Sequence, residues 1–215
     1  MVYHFEAIQA FSRSALPRLD IVATAVFAIS GALQAAKARQ NIVTFAFFAA
    51  VTGVGGGTVR DLLMGAPVFW VHTTTPMAVC LVMALLVWFT PTRWWPHHAI
   101  DWFDGMGVAA YGVYGAAKAQ AYGVPWLPAA VLGVVTACMG GIFRDVLANV
   151  PSIVIRPELY VTAAALSAGC YVLLAACGVP QLVATTIAFA AGFALRGAAI
   201  RPRITPPAYR RSSPG

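Results

Sequence analysis

The stretch Gly53-Val54-Gly55-Gly56-Gly57-Thr58-Val59-Arg60-Asp61 lies inside an otherwise apolar run, and the chain returns to it as Gly140-Gly141-Ile142-Phe143-Arg144-Asp145. Arg60 and Arg144 are 84 residues apart. The same step carries Asp20 to Asp104, Phe27 to Tyr111, Gly31 to Gly115, Thr52 to Thr136 and Pro67 to Pro151. So many matches in one ungapped register mark a duplicated unit with a Gly-Gly/Arg-Asp centre. The rest of the chain is placed around those two centres.

Composition sets the solvent. Of the 215 residues, 60% are hydrophobic and 10% charged, too little polar surface to dissolve a soluble fold of this size. An integral membrane protein is the expectation. The net charge of +7 sits mostly between and after apolar spans, where orientation signals belong, so nucleic acid is not an expected partner. Cys80, Cys138, Cys170 and Cys177 form no Cys-x-x-Cys pair and read as small buried hydrophobes. His72, His97 and His98 lie at span ends without metal-ligand spacing. No nucleophile–base pair or phosphate loop is recognisable, so neither an enzyme nor a cofactor is expected.

A bilayer-crossing helix needs about 20 mostly apolar residues. That rule gives seven spans, at 19–38, 42–65, 71–89, 102–121, 125–148, 157–177 and 180–199. The expected fold is all-α: a first three-helix repeat over 19–90, a linker over 91–101, a second repeat over 102–178 and a seventh helix over 179–199. An N-terminal segment (1–18), without the continuous apolar core of a cleavable signal, precedes them, and a basic, disordered tail (200–215) follows. Three spans per repeat is an odd number, so the second copy crosses the membrane in the opposite sense. The repeats are therefore inverted, as in many transporters. With the C-terminus inside, the cytoplasmic segments collect Lys37, Arg39, Arg93, Arg156 and the tail arginines, against Arg13, Arg18 and, at the end of its span, Lys118 opposite. The bias places the N-terminus outside and the C-terminus in the cytoplasm.

Glycine costs a helix roughly 1 kcal/mol relative to alanine. Gly55, Gly56 and Gly57, with Gly140 and Gly141, mark either a weakened helix lining a cavity or close helix packing. Arg60, Asp61, Arg144 and Asp145 add intramembrane charge, each costing about 2.5–3.5 kcal/mol at a span centre on insertion scales. Neighbours on a helix do not face each other, so Arg60 and Asp61 are not expected to cancel as a pair. If the helix restarts after Gly57, Thr58 becomes its N-cap and Asp61 its third residue, facing the positive end of the half-helix. Arg60 and Arg144 are either basic groups in opposite vestibules of a pathway or side chains snorkelling to lipid phosphate. Asp20 and Asp104 read as helix-start carboxylates. Lys118, at the place of Gln34 in the first copy, reads as a snorkelling lysine or a gate.

Seven spans with duplicated three-span units, each centred on Gly-Gly…Arg-Asp, resemble the prokaryotic trimeric intracellular cation (TRIC) channel family. Its members are also known as glycine-transporter-domain (UPF0126-type) membrane proteins. The resemblance covers residues 19–199, and rests on Gly-Gly-Gly-Thr-Val-Arg-Asp and Gly-Gly-Ile-Phe-Arg-Asp-Val-Leu. It implies a homotrimer in the cell (inner) membrane, with one ion pathway per subunit bordered by the second and fifth spans, kinked at their glycines. It also implies permeation by monovalent cations, chiefly potassium. The pore and kink residues would be Gly55, Gly56, Gly57, Gly140 and Gly141, and the pore-lining or gating charges Arg60, Asp61, Arg144, Asp145 and Lys118. The Lys-Glu-Val motif that animal members associate with a phosphoinositide is absent. Two other readings stand beside the channel: a secondary transporter of a small amino acid such as glycine, and a structural membrane protein whose partners are lipids.

Overall fold

The computed structural model of the chain describes residues 16–155 and 159–200. The tail arginines, Arg13 and Arg156 lie outside these residues, as does all but the end of the N-terminal segment. Seven α-helices follow in order: α1 (Leu16–Lys37), α2 (Ile42–Leu63), α3 (Thr75–Phe89), α4 (Ala99–Ala121), α5 (Trp126–Leu147), α6 (Val161–Ala176) and α7 (Gln181–Ile200). Short 3-10 turns at Thr92–Trp94 and Ile153–Ile155 interrupt the connections. The expected spans are all present. The third and sixth begin four residues late, at Thr75 and Val161. In the third, Pro76 occupies the first helical turn, where a missing N–H costs nothing.

Four helices (α1, α2, α5 and α7) are both long and apolar enough to cross a bilayer. The helices α3 and α6 are shorter, at 15 and 16 residues. The remaining one, α4, is 23 residues long and carries Asp101, Asp104 and Lys118, yet everything from Gly107 to Ala119 is buried. A helix enclosed by other helices touches little lipid and need not be uniformly apolar. The outer helices instead expose Val43, Phe47, Leu62, Phe89, Leu173 and Leu182. An exposed surface of that kind suits hydrocarbon and not water.

The duplication is written into helix ends as well as helix centres. After α1 the chain turns at Arg39 (φ 53°), and after α4 at Gly123 (φ 81°), one repeat step on. After α2 it turns at Gly65 (φ 63°), and after α5 at Asn149 (φ 52°), again one step apart. Each left-handed residue lets the following N–H reach back to a carbonyl of the last turn: Gln40 to Ala35, Val124 to Ala119, Ala66 to Asp61 and Val150 to Asp145.

Within each repeat all three helices pack together, and across the repeats α1 meets α4 and α2 meets α5. The two halves of the fold are inverted three-helix repeats. Their pseudo-two-fold relation is visible where α2 crosses α5. A Cβ on Gly140 would lie 2.5 Å from the carbonyl oxygen of Thr52, and one on Gly56 would overlap that of Thr136. Thr52 and Thr136 are themselves one repeat step apart, so the two contacts are reciprocal. The seventh helix packs outside the pair, against α6 and α4.

Candidate functional site

Helical structure runs unbroken through Gly53–Gly57 and through Gly140–Gly141. The expected restart at Thr58 is therefore corrected. The Thr58 hydroxyl donates to the Val54 carbonyl at 2.8 Å, one turn back, and accepts from the Trp70 indole at 2.8 Å. Every glycine of the motif instead admits a neighbour. Gly55 faces the Phe143 ring, Gly57 the Phe69 ring, and Gly141 the Tyr160 hydroxyl, each 2.6 Å from where a Cβ would sit. Gly56 and Gly140 bring the α2 and α5 backbones together. Interhelical approach of this kind is what small residues provide in a membrane.

The charges that follow also behave differently from the expectation. Arg60 Nε donates to Asp61 Oδ1 at 2.9 Å and its Nη2 lies 2.8 Å from the same oxygen. Arg144 and Asp145 repeat both distances, at 2.9 and 2.8 Å. Helix neighbours do pair here. The arginine is long enough to fold back along the last turn of its helix, where a cation also meets the negative end of the helix dipole. Neither arginine snorkels: both are fully enclosed.

Each aspartate then reaches beyond its helix. Asp61 Oδ2 accepts the Phe69 backbone N–H at 3.1 Å, and Asp145 Oδ2 that of Ile153 at 2.7 Å. Both are one repeat step apart and pin the loop after the helix to its carboxylate. Lys118 completes the first cluster, its Nζ 2.9 and 3.1 Å from the two Asp61 oxygens. It is buried, so the snorkelling alternative is also corrected. The Tyr114 ring lies under the Arg60 guanidinium at 5.1 Å, and Phe69 lies between Arg60 and Lys118 at 5.8 and 5.7 Å.

In the second cluster Arg144 Nη1 donates to Asp104 Oδ1 at 2.6 Å and to the Ser30 hydroxyl. Asp104 is thus no helix-start carboxylate. It is the sixth residue of α4, fully buried, and a direct partner of Arg144. Asp20, its counterpart, is buried too and acts electrostatically on Arg60 and Lys118. The depth of the clusters follows from α4, which contributes Asp104 to one and Lys118 to the other. Fourteen residues at 1.5 Å each separate them by roughly 21 Å, so they occupy opposite halves of the bundle. Between them the Tyr111 hydroxyl donates to the Gly53 carbonyl at 2.8 Å and shares a 2.6 Å hydrogen bond with Thr24.

Comparison with known proteins fits this geometry. A glycine-transporter family model matches the chain twice, over residues 18–92 and 101–176. The chain belongs to the glycine-transporter (UPF0126) family. It is 41% identical over 148 residues to the UPF0126 inner membrane protein YadS of Escherichia coli K12, a match covering 67% of this chain and 72% of that protein. A UPF0126 membrane protein of Vibrio cholerae is 39% identical over 160 residues, covering 72% of this chain and 66% of that one. Among solved structures, the TRIC channel orthologue from Rhodobacter sphaeroides superposes with a TM-score of 0.81 at 36% identity, over 87% of this chain and 98% of that one. This member of the UPF0126 family therefore has the TRIC fold.

Ser30 is legible in the sequence as a polar group that could line a path, though not as a partner of Arg144. Two further residues of the clusters escape sequence reasoning. Tyr160 precedes α6 in a loop. Arg196 stands in α7, which has no repeat partner; a lone charge within an apolar span was the available signal. Its guanidinium lies 5.3 Å from the Tyr160 ring centre and is fully buried.

Proposed function

We propose that this protein is a channel for monovalent cations, permeable to potassium, that acts as a homotrimer with one pathway per subunit. The single observation that carries the reading is the likeness to the Rhodobacter TRIC channel, at 36% identity over nearly the whole of that chain. The pathway follows α2 and α5, passing the first charge cluster, the α2–α5 crossing and the second cluster. The protein sits in the inner membrane, like YadS by its name, with the N-terminus outside and the C-terminus cytoplasmic.

Two features support this route. Fixed positive charge repels cations from a narrow pore. Here each motif arginine is held by its own aspartate, and Asp104 and Lys118 extend the pairing, so neither cluster presents a bare cation. Along the middle, Thr52, Thr136, Thr24 and Tyr111 supply hydroxyls, and Gly53 and the threonines supply carbonyls close to the crossing. In this reading the crossing is the closed point of the pathway, a view supported by the close approach of the two backbones at Gly56 and Gly140. Conduction then requires α2 and α5 to part there.

Purified protein in a planar bilayer under a potassium gradient is expected to give resolved unitary currents. A second reading, a transporter of glycine, draws on the family's description and on the inverted repeats. Saturable glycine uptake into proteoliposomes, without unitary currents, would replace the first reading with the second.

A further inference from the structure

Among the matched positions at which the two clusters hold different residues, one changes the charge. Lys118 lies over Asp61 in the first, and one repeat step back the second has Gln34, which is neutral. Taken from the repeats alone, the second cluster sets one arginine, Arg144, against two buried carboxylates, Asp104 and Asp145. A buried carboxylate without a compensating cation is strongly unfavourable, and more so within a membrane.

The balancing charge comes from outside the duplication. Arg196 is the one charged residue of α7, and it sits four residues from the end of that helix. Its side chain lies flat on α4: a Cβ at Gly105, the neighbour of Asp104, would be 2.7 Å from Arg196 Cγ. Its guanidinium faces the Tyr160 ring, and the Tyr160 hydroxyl and Asp104 Oδ1 crowd the same point beside Gly141, at 2.6 and 3.1 Å from a Cβ there. Arg196 acts electrostatically on both Asp104 and Tyr160. With it, among the described residues, two cations meet two carboxylates in the second cluster, as they do in the first with Asp20, Arg60, Asp61 and Lys118.

We propose that Arg196 is a positioning residue of the second charge cluster, supplying through α7 the cation that Lys118 supplies to the first. It acts through Asp104, whose carboxylate it helps hold in place for Arg144. The seventh helix is then an integral part of the charged core and not an external strut. Only the ion-flux arm of the test rests on the channel reading; the stability arm does not.

The test uses the full chain, purified in detergent and reconstituted into vesicles of phosphatidylethanolamine and phosphatidylglycerol. Four proteins are compared: wild type, R196M, R196K and the double variant R196M/Q34K, whose new lysine takes the matched place of Lys118. R196M should unfold at least about 5 °C lower and carry at least about tenfold less potassium flux. R196K and R196M/Q34K should both recover most of each loss. Charge transplantation is the decisive comparison, because a purely steric role for Arg196 predicts no benefit from a lysine on α1. Wild-type behaviour of R196M overturns the proposal, and so does an impaired R196M that Q34K leaves no better. If R196M yields no folded peak on size exclusion, recovery of that peak in the double variant supports the proposal and its continued absence overturns it. A wild type without flux removes the channel reading, and the unfolding series then decides the role of Arg196 alone.

Discussion

Asp61 and Asp145 stand at equivalent positions of two copies of one unit, with the same arginine folded onto them and the same loop N–H below. Their other partners differ. Asp61 takes a lysine from α4, while in the second copy it is the arginine that gains the extra partners, Asp104 and Ser30. Asp20 and Arg60 match Asp104 and Arg144, yet only the second pair is joined by a hydrogen bond: among the described residues Asp20 Oδ1 and Arg60 Nη1 find no partner, while in the second pair Asp104 Oδ2 alone is left over. Duplication therefore preserved the local device, arginine on aspartate at a helix end, and let the long-range partners diverge. What is invariant is set by a few adjacent residues, and what diverged is set by how α1 and α4 pass between the two copies.

The sharpest way to break the comparison is to remove each arginine. Arg144→Met leaves Asp104 and Asp145 enclosed with only Arg196 nearby, and should cost about 3–5 kcal/mol, enough to abolish recovery of folded protein. Arg60→Met leaves Asp61 and the buried Asp20 with Lys118, but it breaks no hydrogen bond to a second aspartate as Arg144→Met does, and should cost clearly less, on the order of 2 kcal/mol. Thermal unfolding in detergent reads both. Equal losses would mean that the extra partners carry no weight.

The halves of that comparison were unequally legible. The repeat step, seven spans and two Gly-Gly/Arg-Asp centres could be read directly, because apolar runs and a fixed register are one-dimensional signals. Asp104 could not be placed: its position near a helix start says nothing of the arginine brought to it from α5. The snorkelling reading of Lys118 fails for a related reason. Its nearness to a helix end suggested the interface, whereas α4 is walled in from Gly107 to Ala119. The glycines gave an ambiguous signal, since a helix breaker and a close-packing surface use the same residue. Only the position of the opposite backbone decides between them.

Next in size is the α2–α5 crossing. Gly56→Ala places a methyl against the Thr136 carbonyl and Gly140→Ala places one against that of Thr52, both against backbone that cannot rotate away. Each should destabilise the protein by about 1–3 kcal/mol through overpacking and, in the channel reading, change potassium flux severalfold. The reciprocal geometry predicts similar effects at the two sites. A large change at one and none at the other would show that the pseudo-two-fold relation is not kept at the crossing.

Lys118→Gln makes the first cluster resemble the second at the matched position where their charge differs. Asp61 keeps Arg60 and the Phe69 N–H, so a loss of about 1–2 kcal/mol is expected, smaller than at Arg60. The reverse change, Gln34→Lys in an otherwise wild-type chain, adds a third cation to a balanced cluster and should also destabilise. A gain in unfolding temperature from Gln34→Lys would show that the second cluster still lacks positive charge with Arg196 present.

The smallest effects belong to the helix ends, where the comparison is cleanest because no charge cluster intervenes. Arg39 and Asn149 adopt the left-handed conformation that Gly123 and Gly65 adopt at the matched ends. A side chain in that region is strained, asparagine least of all, whereas glycine is not. Arg39→Gly should therefore stabilise by roughly 0.5–1 kcal/mol, offset in part by the greater freedom glycine gives the unfolded chain. Asn149→Gly should change stability by no more than a few tenths of a kcal/mol. The converse variants, Gly65→Ala and Gly123→Ala, should each lose about 1 kcal/mol, although a Cβ at Gly65 would meet nothing within 4 Å. Gly65→Ala separates backbone strain from crowding for that reason. If it unfolds at the wild-type temperature, the helix end relaxes without cost, and the shared turn geometry of the two repeats follows from the connections and not from the residues that occupy it.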